Sequence, residues 1–390
     1  MKRMKMALLA LTLFVLASCR ATTGTSGKEA DGVDVDRAFK HLAGFLSSQA
    51  CDTDDTIYFG DGSYLYYVDK AAGVGGPLCG KPECSHNDMN CNAFFSGGID
   101  CLSYYDGRLY AVCHTSVISI ALDGTDRLLI RELDRDLVPN SRSQSFWYFH
   151  RGYIYLSCQK RDVKNGEQIY SNYVCAFSLV PEEENIVILD TETNFSYYST
   201  IQSYEEDLYI MTCGDPREDL TIEDEYWHYD FTIRHWNMET QELEIVYEES
   251  NGPLSAVWEM WVMDNGVLYG GPSNEDFVVE IYDYSKDTGS AEMLFRFEDT
   301  PICVGNVQIS DNLIVGCKAL DEGLYVLVKD FDGKTLIEET YRLNWTVNSP
   351  RLFGTDENHL YFFDHNGGGN TVITVPLDGS ETRVLWSREI

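Results

Sequence analysis

Hydrophobic and polar residues recur along this chain in one pattern, repeated seven times from residue 53 onward. Each copy begins with a polar turn, continues into an apolar and aromatic strand, and reaches a second strand in which apolar and polar positions alternate. A third strand follows, and a further strand precedes each unit. The copies begin at residues 53, 105, 150, 204, 264, 311 and 356. The pattern therefore predicts four strands per repeat.

One apolar position in the strand after each turn serves as a landmark, and the seven landmarks are Ile57, Leu109, Ile154, Leu208, Leu268, Leu313 and Leu360. Their spacing of 45 to 60 residues is close to the length of a four-stranded propeller blade. A single meander cannot bury both faces, so the copies must stack. We predict an all-β fold, a β-propeller of seven blades with four antiparallel strands each. The first inner strand is weakly defined near residues 44–50, so six or eight blades remain alternatives.

The connections between strands differ at the two ends of such blades. With strands lettered A to D from the axis outward, the A–B and C–D connections lie on one face, here called the tight-turn face. It carries short turns such as Asp106-Gly107, Asp123-Gly124, Asn265-Gly266 and Asp378-Gly379. The opposite, long-connection face carries residues 80–98, 159–172 and 214–230. We expect binding at the long-connection face, because long loops on rigid scaffolds usually carry it.

The first 36 residues predict export and a membrane anchor. A basic start and a short apolar run are typical of a secretory signal over residues 1–18. The run ends in Leu16-Ala17-Ser18-Cys19, which resembles a bacterial lipobox and implies lipid on Cys19 after cleavage. A plain cleaved signal is the alternative. Residues 19–36 are polar and Gly-rich and form a predicted tether, which leaves residues 37–390 as the propeller domain. We therefore predict a lipid-anchored protein on the extracytoplasmic face of the cell membrane.

The charge balance narrows the range of partners. The chain has 63 Asp and Glu against 29 Lys and Arg, for a net charge of -34, and removal of the leader would make it more negative. Such a chain repels nucleic acid, which excludes nucleic-acid partners. The membrane contact is expected through the lipid on Cys19.

The most concentrated donor set lies in the connection after the first repeat. Cys79, Cys84, His86 and Cys91 fall within thirteen residues, with the spacing C-x4-C-x-H-x4-C. Three thiolates and one imidazole can form a tetrahedral zinc site, although this spacing is not a common zinc pattern. In an exported protein the competing interpretation is a disulfide, for example between Cys79 and Cys91 or Cys84.

Four other cysteines, Cys113, Cys158, Cys213 and Cys317, end the second strands of four repeats and are expected to be buried small hydrophobes at one symmetry-related site.

The segment PLCGKPECSHNDMNCNAF, following YYVDKAAG, resembles a segment of uncharacterised propeller lipoproteins of anaerobic Gram-positive bacteria. The resemblance extends over the chain from about residue 40. It implies a propeller and a surface location, and it brings no reaction with it.

A second candidate site lies in the long connection of repeat 4. It combines five acidic residues with Tyr226, Trp227, His228 and Tyr229. Aromatic rings and carboxylates together suit a sugar, so a glycan or other polar ligand is the functional hypothesis here. The alternative is an aromatic lid packed on a neighbouring blade.

No familiar catalytic motif is present: the chain lacks G-x-S-x-G, H-E-x-x-H, the phosphate loop and the dinucleotide fingerprint. We therefore favour a binding or scaffold propeller for a glycan, peptide or envelope protein. The alternative is a carboxylate-dependent glycan-active enzyme, a glycosidase or lyase, because two of the many carboxylates could form a pair without a local signature. Two carboxyl groups on the long-connection face, one with a raised pKa, would favour the enzyme.

Overall fold

The structure is a computed structural model, and its described residues are 49–138, 145–164, 167–193, 197–214, 230–250, 252–264, 266–298, 300–302, 307–310, 313–343, 350–356, 358–366, 369–380 and 382–387. They belong to one compact unit, Val35–Ile390. Among them, no helix is long and apolar enough to cross a membrane.

In the described part of the chain, twenty-eight strands form seven sheets of four antiparallel strands, in sequence order within every sheet. Blades 1 to 3 consist of β1 (Ala50–Asp52), β2 (Thr56–Asp61), β3 (Tyr64–Asp69), β4 (Gly75–Pro77); β5 (Cys101–Tyr105), β6 (Arg108–Cys113), β7 (Ser116–Ala121), β8 (Leu128–Glu132); and β9 (Ser145–His150), β10 (Tyr153–Lys164), β11 (Glu167–Ser178), β12 (Ile186–Thr193).

Blades 4 to 7 consist of β13 (Tyr197–Tyr204), β14 (Asp207–Gly214), β15 (Asp230–Asn237), β16 (Glu242–Glu249); β17 (Glu259–Met263), β18 (Gly266–Pro272), β19 (Val279–Ser285), β20 (Ser290–Arg296); β21 (Val307–Ser310), β22 (Leu313–Leu320), β23 (Gly323–Asp330), β24 (Thr335–Tyr341); and β25 (Pro350–Thr355), β26 (His359–Asn366), β27 (Gly369–Pro376), β28 (Arg383–Ser387). The predicted seven-bladed β-propeller is confirmed.

The core of the protein is divided among the blade junctions. Successive side chains of a strand point to opposite faces of its sheet, so each B strand contributes to two junctions. In blade 5, Val267 packs with blade 4 and Leu268 packs with blade 6. A buried apolar cluster fills every junction in this way, which is the stacking that the repeat pattern predicted.

Two of the seven landmarks were misplaced by one residue. In blades 5 and 6 the equivalents of Ile57 are Val267 and Ile314, next to the predicted Leu268 and Leu313. All seven true positions are at most 1 % exposed. The error arose because two adjacent apolar residues follow the turn in these repeats, and only the hairpin register shows which one faces the preceding blade.

Among the described strands, none is exchanged between the first and the last blade. Blade 1 is built entirely from the N-terminal strands and blade 7 from the C-terminal ones. The two pack through aromatic rings: the Phe59 centroid lies 5.2 Å from that of Phe363 and 5.5 Å from that of Trp386, and Tyr66 lies 5.6 Å from Trp386. Side-chain packing therefore holds this junction.

The outer strands share a feature that the sequence analysis did not anticipate. In blades 2 to 7 the pairing of strands C and D shifts by one residue, while the short outer strand of blade 1 pairs without a shift. Such β-bulges bend an edge strand and hinder pairing with another sheet. Their recurrence explains how exposed outer residues such as Leu129, Ile245 and Met293 are tolerated at the perimeter.

The long connection predicted over residues 159–172 is instead a regular hairpin. β10 and β11 pair without interruption from Tyr153 opposite Ser178 to Lys164 opposite Glu167. In the sequence, Lys164 and Glu167 are separated by Asn165-Gly166, a typical hairpin dipeptide. This signal could have identified the ribbon, which was missed because its polar residues resemble a loop.

Candidate metal centre and ligand-binding surface

The four candidate metal ligands converge in the structure. One ligand atom from each of Cys79, Cys84, His86 and Cys91 lies within 4.8 Å of all the others. The Nδ1 atom of His86 is 3.4 Å from the Sγ atom of Cys91. Cys91 is buried, whereas the other three residues are partly exposed. The cluster therefore has a buried side and a side open to solvent.

The cluster sits in the connection from blade 1 to blade 2, and both ends of this connection are anchored. At one end the Leu78 amide donates to the Leu65 carbonyl at 2.8 Å, and at the other the Phe95 amide donates to the Ser63 carbonyl at 2.7 Å. Leu78 and Phe95 are buried in the cluster that joins blades 1 and 2. The donor segment is therefore a loop held at its base by the first junction.

The far side of the loop rests on blade 2 at a single turn. The Gly80 amide donates to the Gly124 carbonyl at 3.0 Å, and the Asn92 side-chain amide donates to the same oxygen at 2.8 Å. Gly124 has a φ of 76°, and a Cβ atom there would lie 2.7 Å from the amide nitrogens of Cys79 and Gly80. Glycine is thus required both for the turn and for the close approach of the loop.

The loop contacts groups on both faces of the propeller. Its two anchors, the Leu65 and Ser63 carbonyls, lie where strands B and C of blade 1 connect, on the long-connection face that was predicted for residues 80–98. Gly124 belongs to the C–D turn of blade 2, on the tight-turn face. The sequence analysis did not identify this second contact.

Arg127 also holds the C-terminal end of the loop. The Arg127 guanidinium donates to the Phe94 carbonyl at 2.6 Å and lies over the Phe95 ring, 4.4 Å from its centroid. At the tip, Lys81 donates to the Asn90 carbonyl. His86 adopts a φ of 53°, a left-handed conformation that costs free energy in a residue with a side chain. The surrounding contacts maintain this backbone, which presents the imidazole to the sulfurs.

The thiols of the cluster differ in the direction in which their pKa values are shifted. Burial opposes ionisation of Cys79, but hydrogen bonds from the Lys81 and Asn92 amides and from the Cys91 and Cys84 thiols hold its pKa below the usual value. Burial, together with the neighbouring sulfurs, raises the pKa of Cys91 to about 12. One sulfur is therefore stabilised as a thiolate, which is the form that binds metals.

The donor set matches zinc. Zn²⁺ prefers four tetrahedral ligands and accepts sulfur and imidazole nitrogen, at about 2.3 and 2.0 Å. Tetrahedral sulfurs at that bond length lie about 3.8 Å apart, so ligand atoms within 4.8 Å need to move inward by only about 1 Å. The ten cysteines among the described residues are all free thiols.

The other predicted site residues lie outside the described residues. Cys19 with its leader and tether, and Tyr226, Trp227, His228 and Tyr229, fall in the undescribed residues 1–48 and 215–229. The described ends of the second stretch are Gly214 and Asp230, which pair with each other on the long-connection face.

The four cysteines at strand ends are buried, as predicted, and at most 7 % exposed. They do not share one symmetry-related position. Cys113 and Cys158 follow their landmarks by four residues and face the preceding blade, whereas Cys213 and Cys317 face the following one. The number of residues from the landmark to the cysteine is even in the first pair and odd in the second. Because successive side chains of a strand point to opposite faces, an odd number places the cysteine on the other face of its blade.

An aromatic cluster lies beside the base of residues 215–229. Tyr247 on β16 stacks near Tyr269 and Tyr284 of blade 5, with centroids 5.8 and 4.4 Å away, and Tyr269 stacks parallel to Tyr282 at 5.6 Å. Tyr247 and Tyr282 are only partly buried. Phe231, the second residue after the undescribed stretch, packs against Tyr269 at 4.8 Å.

Two carboxylates accompany these rings, a pair that sequence analysis did not identify. The Tyr269 hydroxyl lies 3.5 Å from Glu249, and the Tyr282 hydroxyl donates to Glu280 at 3.0 Å. Burial raises the pKa of Glu249, against the effect of Tyr247 and Tyr269, while Glu280 pairs with Arg296. Glu249 ends its strand and Glu280 begins one, so both lie on the long-connection face.

Comparison with known proteins is informative only at the level of fold. No protein-family model and no curated protein matches the chain in sequence. The fold is similar to that of an oligogalacturonate lyase in complex with manganese (TM-score 0.52, 14 % identity, 87 % of this chain and 89 % of that one). It is also similar to a prolyl endopeptidase (TM-score 0.51, 10 % identity, 93 % of this chain and 52 % of that one). An acylaminoacyl peptidase of Pyrococcus horikoshii matches with a TM-score of 0.48, 10 % identity, and 88 % and 52 % coverage. The chain spans about half the length of these peptidases, and at such identities the likeness extends to the propeller fold alone.

Proposed function

We propose that the protein is a lipid-anchored, extracytoplasmic β-propeller that binds a glycan at its long-connection face, and that a zinc ion stabilises its first blade junction. The observation that carries the zinc site is the convergence of four ligand atoms within 4.8 Å. A disulfide between two of the cysteines would leave His86 without a role, whereas a metal uses all four donors. When bound, the ion would join four points of the loop and hold it on the Gly124 turn.

The zinc site is tested by metal content. We expect the purified chain to contain one zinc per molecule, and Cys84→Ser or His86→Ala to lower that content to near zero. Cys317→Ala removes a thiol elsewhere in the fold and serves as the control. Full zinc content in both variants, or a Cys79–Cys91 disulfide detected by thiol counting and mass spectrometry, would reject the site.

Glycan binding is supported by the rim of blades 4 and 5. Partly exposed tyrosine rings beside Glu249 provide an apolar surface for a sugar ring and an acceptor for its hydroxyls, while Glu280, buried and paired with Arg296, holds the Tyr282 hydroxyl. Residues 226–229 adjoin this rim in the sequence and would extend it. Tyr282→Ala and Trp227→Ala should each abolish signals on a glycan array, and Tyr153→Ala on blade 3 is the control. Unchanged array signals in both rim variants would contradict the assignment.

The lipid anchor requires its own test. Cys19→Ser should move the protein from the detergent phase to the aqueous phase after extraction of cells that express it. Equal partitioning of the two forms would favour a plain cleaved signal.

A glycan-active enzyme is the second candidate, because Glu249 with a raised pKa lies near Glu280 in the same aromatic cluster. Two carboxyl groups in different electrostatic environments are the pair that glycoside chemistry uses. Array ligands should then be cleaved by the wild type and spared by Glu249→Gln. Intact ligand after prolonged incubation with the wild type would reject the enzyme and leave binding as the proposed function.

A further inference from the structure

The Cys and His cluster of the first connection has two sulfurs on its solvent side. Cys79 and Cys84 are partly exposed, whereas Cys91 is 1 % exposed and has the His86 imidazole nitrogen 3.4 Å from its sulfur. Both Cys79 and Cys84 are free thiols, and their Sγ atoms lie within 4.8 Å of each other. A solute can therefore reach these two sulfurs before it reaches Cys91.

The chain between Cys79 and Cys84 is a solvent-exposed turn. The Cys84 amide donates to the Lys81 carbonyl at 3.2 Å, which folds the chain back, and Lys81, Pro82 and Glu83 are exposed. A disulfide bond is about 2.0 Å long, so the two sulfurs must approach each other by less than about 3 Å to form one. Rotation of the two side chains about their Cα–Cβ bonds can supply this movement.

The cluster also links the two ends of the donor loop. The residues next to the first and last ligands, Gly80 and Asn92, both donate to the Gly124 carbonyl. With a zinc ion bound, Cys79 and Cys91 are joined through the metal, so both contacts with blade 2 are held at once. Loss of the ion would therefore loosen the loop on blade 2.

We propose that the cluster is a redox switch, in which a hydroperoxide joins Cys79 to Cys84 and zinc is released from the loop. The switch rests on the zinc site of the proposed function and adds the condition under which that site loses its ion. Zinc ligands are thiolates, and the thiolate is the form of cysteine that peroxides oxidise. The same two sulfurs are metal ligands when reduced and a disulfide when oxidised.

The oxidation balances with one hydroperoxide, R–O–OH, for each pair of thiolates. With Cys79 as the attacking sulfur, an S–O bond forms to the terminal oxygen, the O–O bond breaks and RO⁻ leaves. The Cys84 sulfur then attacks Cys79, an S–S bond forms, the S–O bond breaks and hydroxide leaves. Two electrons pass from the sulfurs to the oxygens. His86 and Cys91 remain, and they are two of the four ligands that zinc prefers.

The test starts from the full-length protein, purified under reducing conditions and freed of reductant, with its zinc content measured first. Hydrogen peroxide should release one zinc per molecule to a chromogenic chelator, in step with the loss of two thiols. Mass spectrometry of the peptides should show a Cys79–Cys84 bridge. Dithiothreitol with added zinc should restore both the thiols and the metal content.

Two variants separate the switch from general thiol oxidation. Cys84→His keeps four donors, since two thiolates and two imidazoles also bind zinc, but it cannot form the bridge. Its zinc release under peroxide should be more than tenfold slower than that of the wild type. Cys317→Ala lacks a buried thiol elsewhere in the fold and should release zinc at the wild-type rate. Equally fast release from Cys84→His and the wild type would overturn the switch.

The wild-type protein distinguishes the switch from the zinc site without any variant. Absence of zinc before peroxide is added would reject the zinc site and the switch with it. Zinc that is present and stays bound under peroxide would overturn the switch and leave the zinc site in place. Release with sulfinic acid at Cys79 or Cys84 instead of a bridge would also overturn the switch, because dithiothreitol does not reverse that oxidation.

Discussion

The two junctions of blade 1 show different solutions to the same packing problem. Toward blade 7, aromatic rings from both blades meet directly, with Phe59 next to Phe363 and Trp386. Toward blade 2, the connecting segment itself enters the junction through Leu78 and Phe95, and it carries the four candidate metal ligands. Blade 1 is the blade whose outer strand is only three residues long.

The difference shows how a repeat protein can compensate for a short terminal blade. An outer strand of three residues covers little of the neighbouring sheet, so other groups must cover the flank. Bulky rings do this at the closure, where no chain connects the blades. At the first junction a chain connection is available, and the loop that carries the Cys and His cluster covers the flank that a longer outer strand would cover.

Removal of zinc should have the largest effect of these perturbations. It should loosen the junction between blades 1 and 2 and leave the junction between blades 1 and 7 intact. Under the proposed function, a chelator withdraws the ion and releases four points of the loop, because structural metal sites contribute directly to folding free energy. Hydrogen exchange at residues 78–99 and 122–127 should accelerate more than tenfold, while β26 and β28 stay protected. Uniform acceleration in all blades, or no change, would contradict a local role.

Loss of an aromatic ring should open the other junction. Phe59 is 1 % exposed, so Phe59→Ala should reduce the free energy of unfolding by about 3–5 kcal/mol through lost contacts and a cavity. Zinc content should stay at the wild-type value, since Phe59 packs on blade 7. Denaturant unfolding and metal analysis of one preparation measure both quantities. A loss of zinc in this variant would show that the junctions are coupled.

Glu259, on the inner strand of blade 5, allows a perturbation by pH at a position away from both junctions of blade 1. Glu259 has a folded pKa of about 8 against an ordinary value of 4.5, so the folded state binds more protons than the unfolded state between these values. Stability should therefore fall as pH rises through this window. Glu259→Gln should remove this contribution and gain at least about 1 kcal/mol over wild type on going from pH 5 to pH 8. A constant difference between the two proteins over that range would refute the assignment.

The smallest effect should come from the addition of one methyl group at Gly124, and Gly379 provides a matched control. Gly124 and Gly379 both follow Leu-Asp in C–D turns, with φ values of 76° and 75°. A Cβ atom at Gly379 meets nothing within 4 Å, whereas at Gly124 it meets the amides of Cys79 and Gly80. Gly379→Ala should cost about 1 kcal/mol from backbone strain alone.

Gly124→Ala should cost more than its counterpart and should also weaken zinc binding, because the donor loop must move away from blade 2. Competition with a chromogenic chelator measures that affinity. Equal zinc affinities in the two glycine variants would mean that the contact with blade 2 does not position the donors.

Much of the fold followed from local signals. Repeated turns and strands of period two specify hairpins over short distances, and seven copies with no other way to bury their faces require a ring. The donor set could also be found, since Cys79 and Cys91 are close in sequence. The Asn165-Gly166 dipeptide held a hairpin signal that was overlooked.

Other features could not be read from the residues alone. The landmarks Val267 and Ile314 depend on hairpin register, and a shift of one residue exchanges the blade that a side chain faces. The same alternation places Cys113 and Cys213 on opposite sides of their blades.

By itself, the sequence determined the seven-bladed ring and the place of the sulfur ligands in one connection, because both rest on neighbours along the chain. Only the tertiary structure decided that this connection contacts Gly124, that Glu249 and Glu280 flank one cluster of tyrosines, and that Arg351 acts electrostatically on Glu259. These pairs come from different blades, and the stacking of blades around an axis, rather than any local propensity, brings such distant residues together.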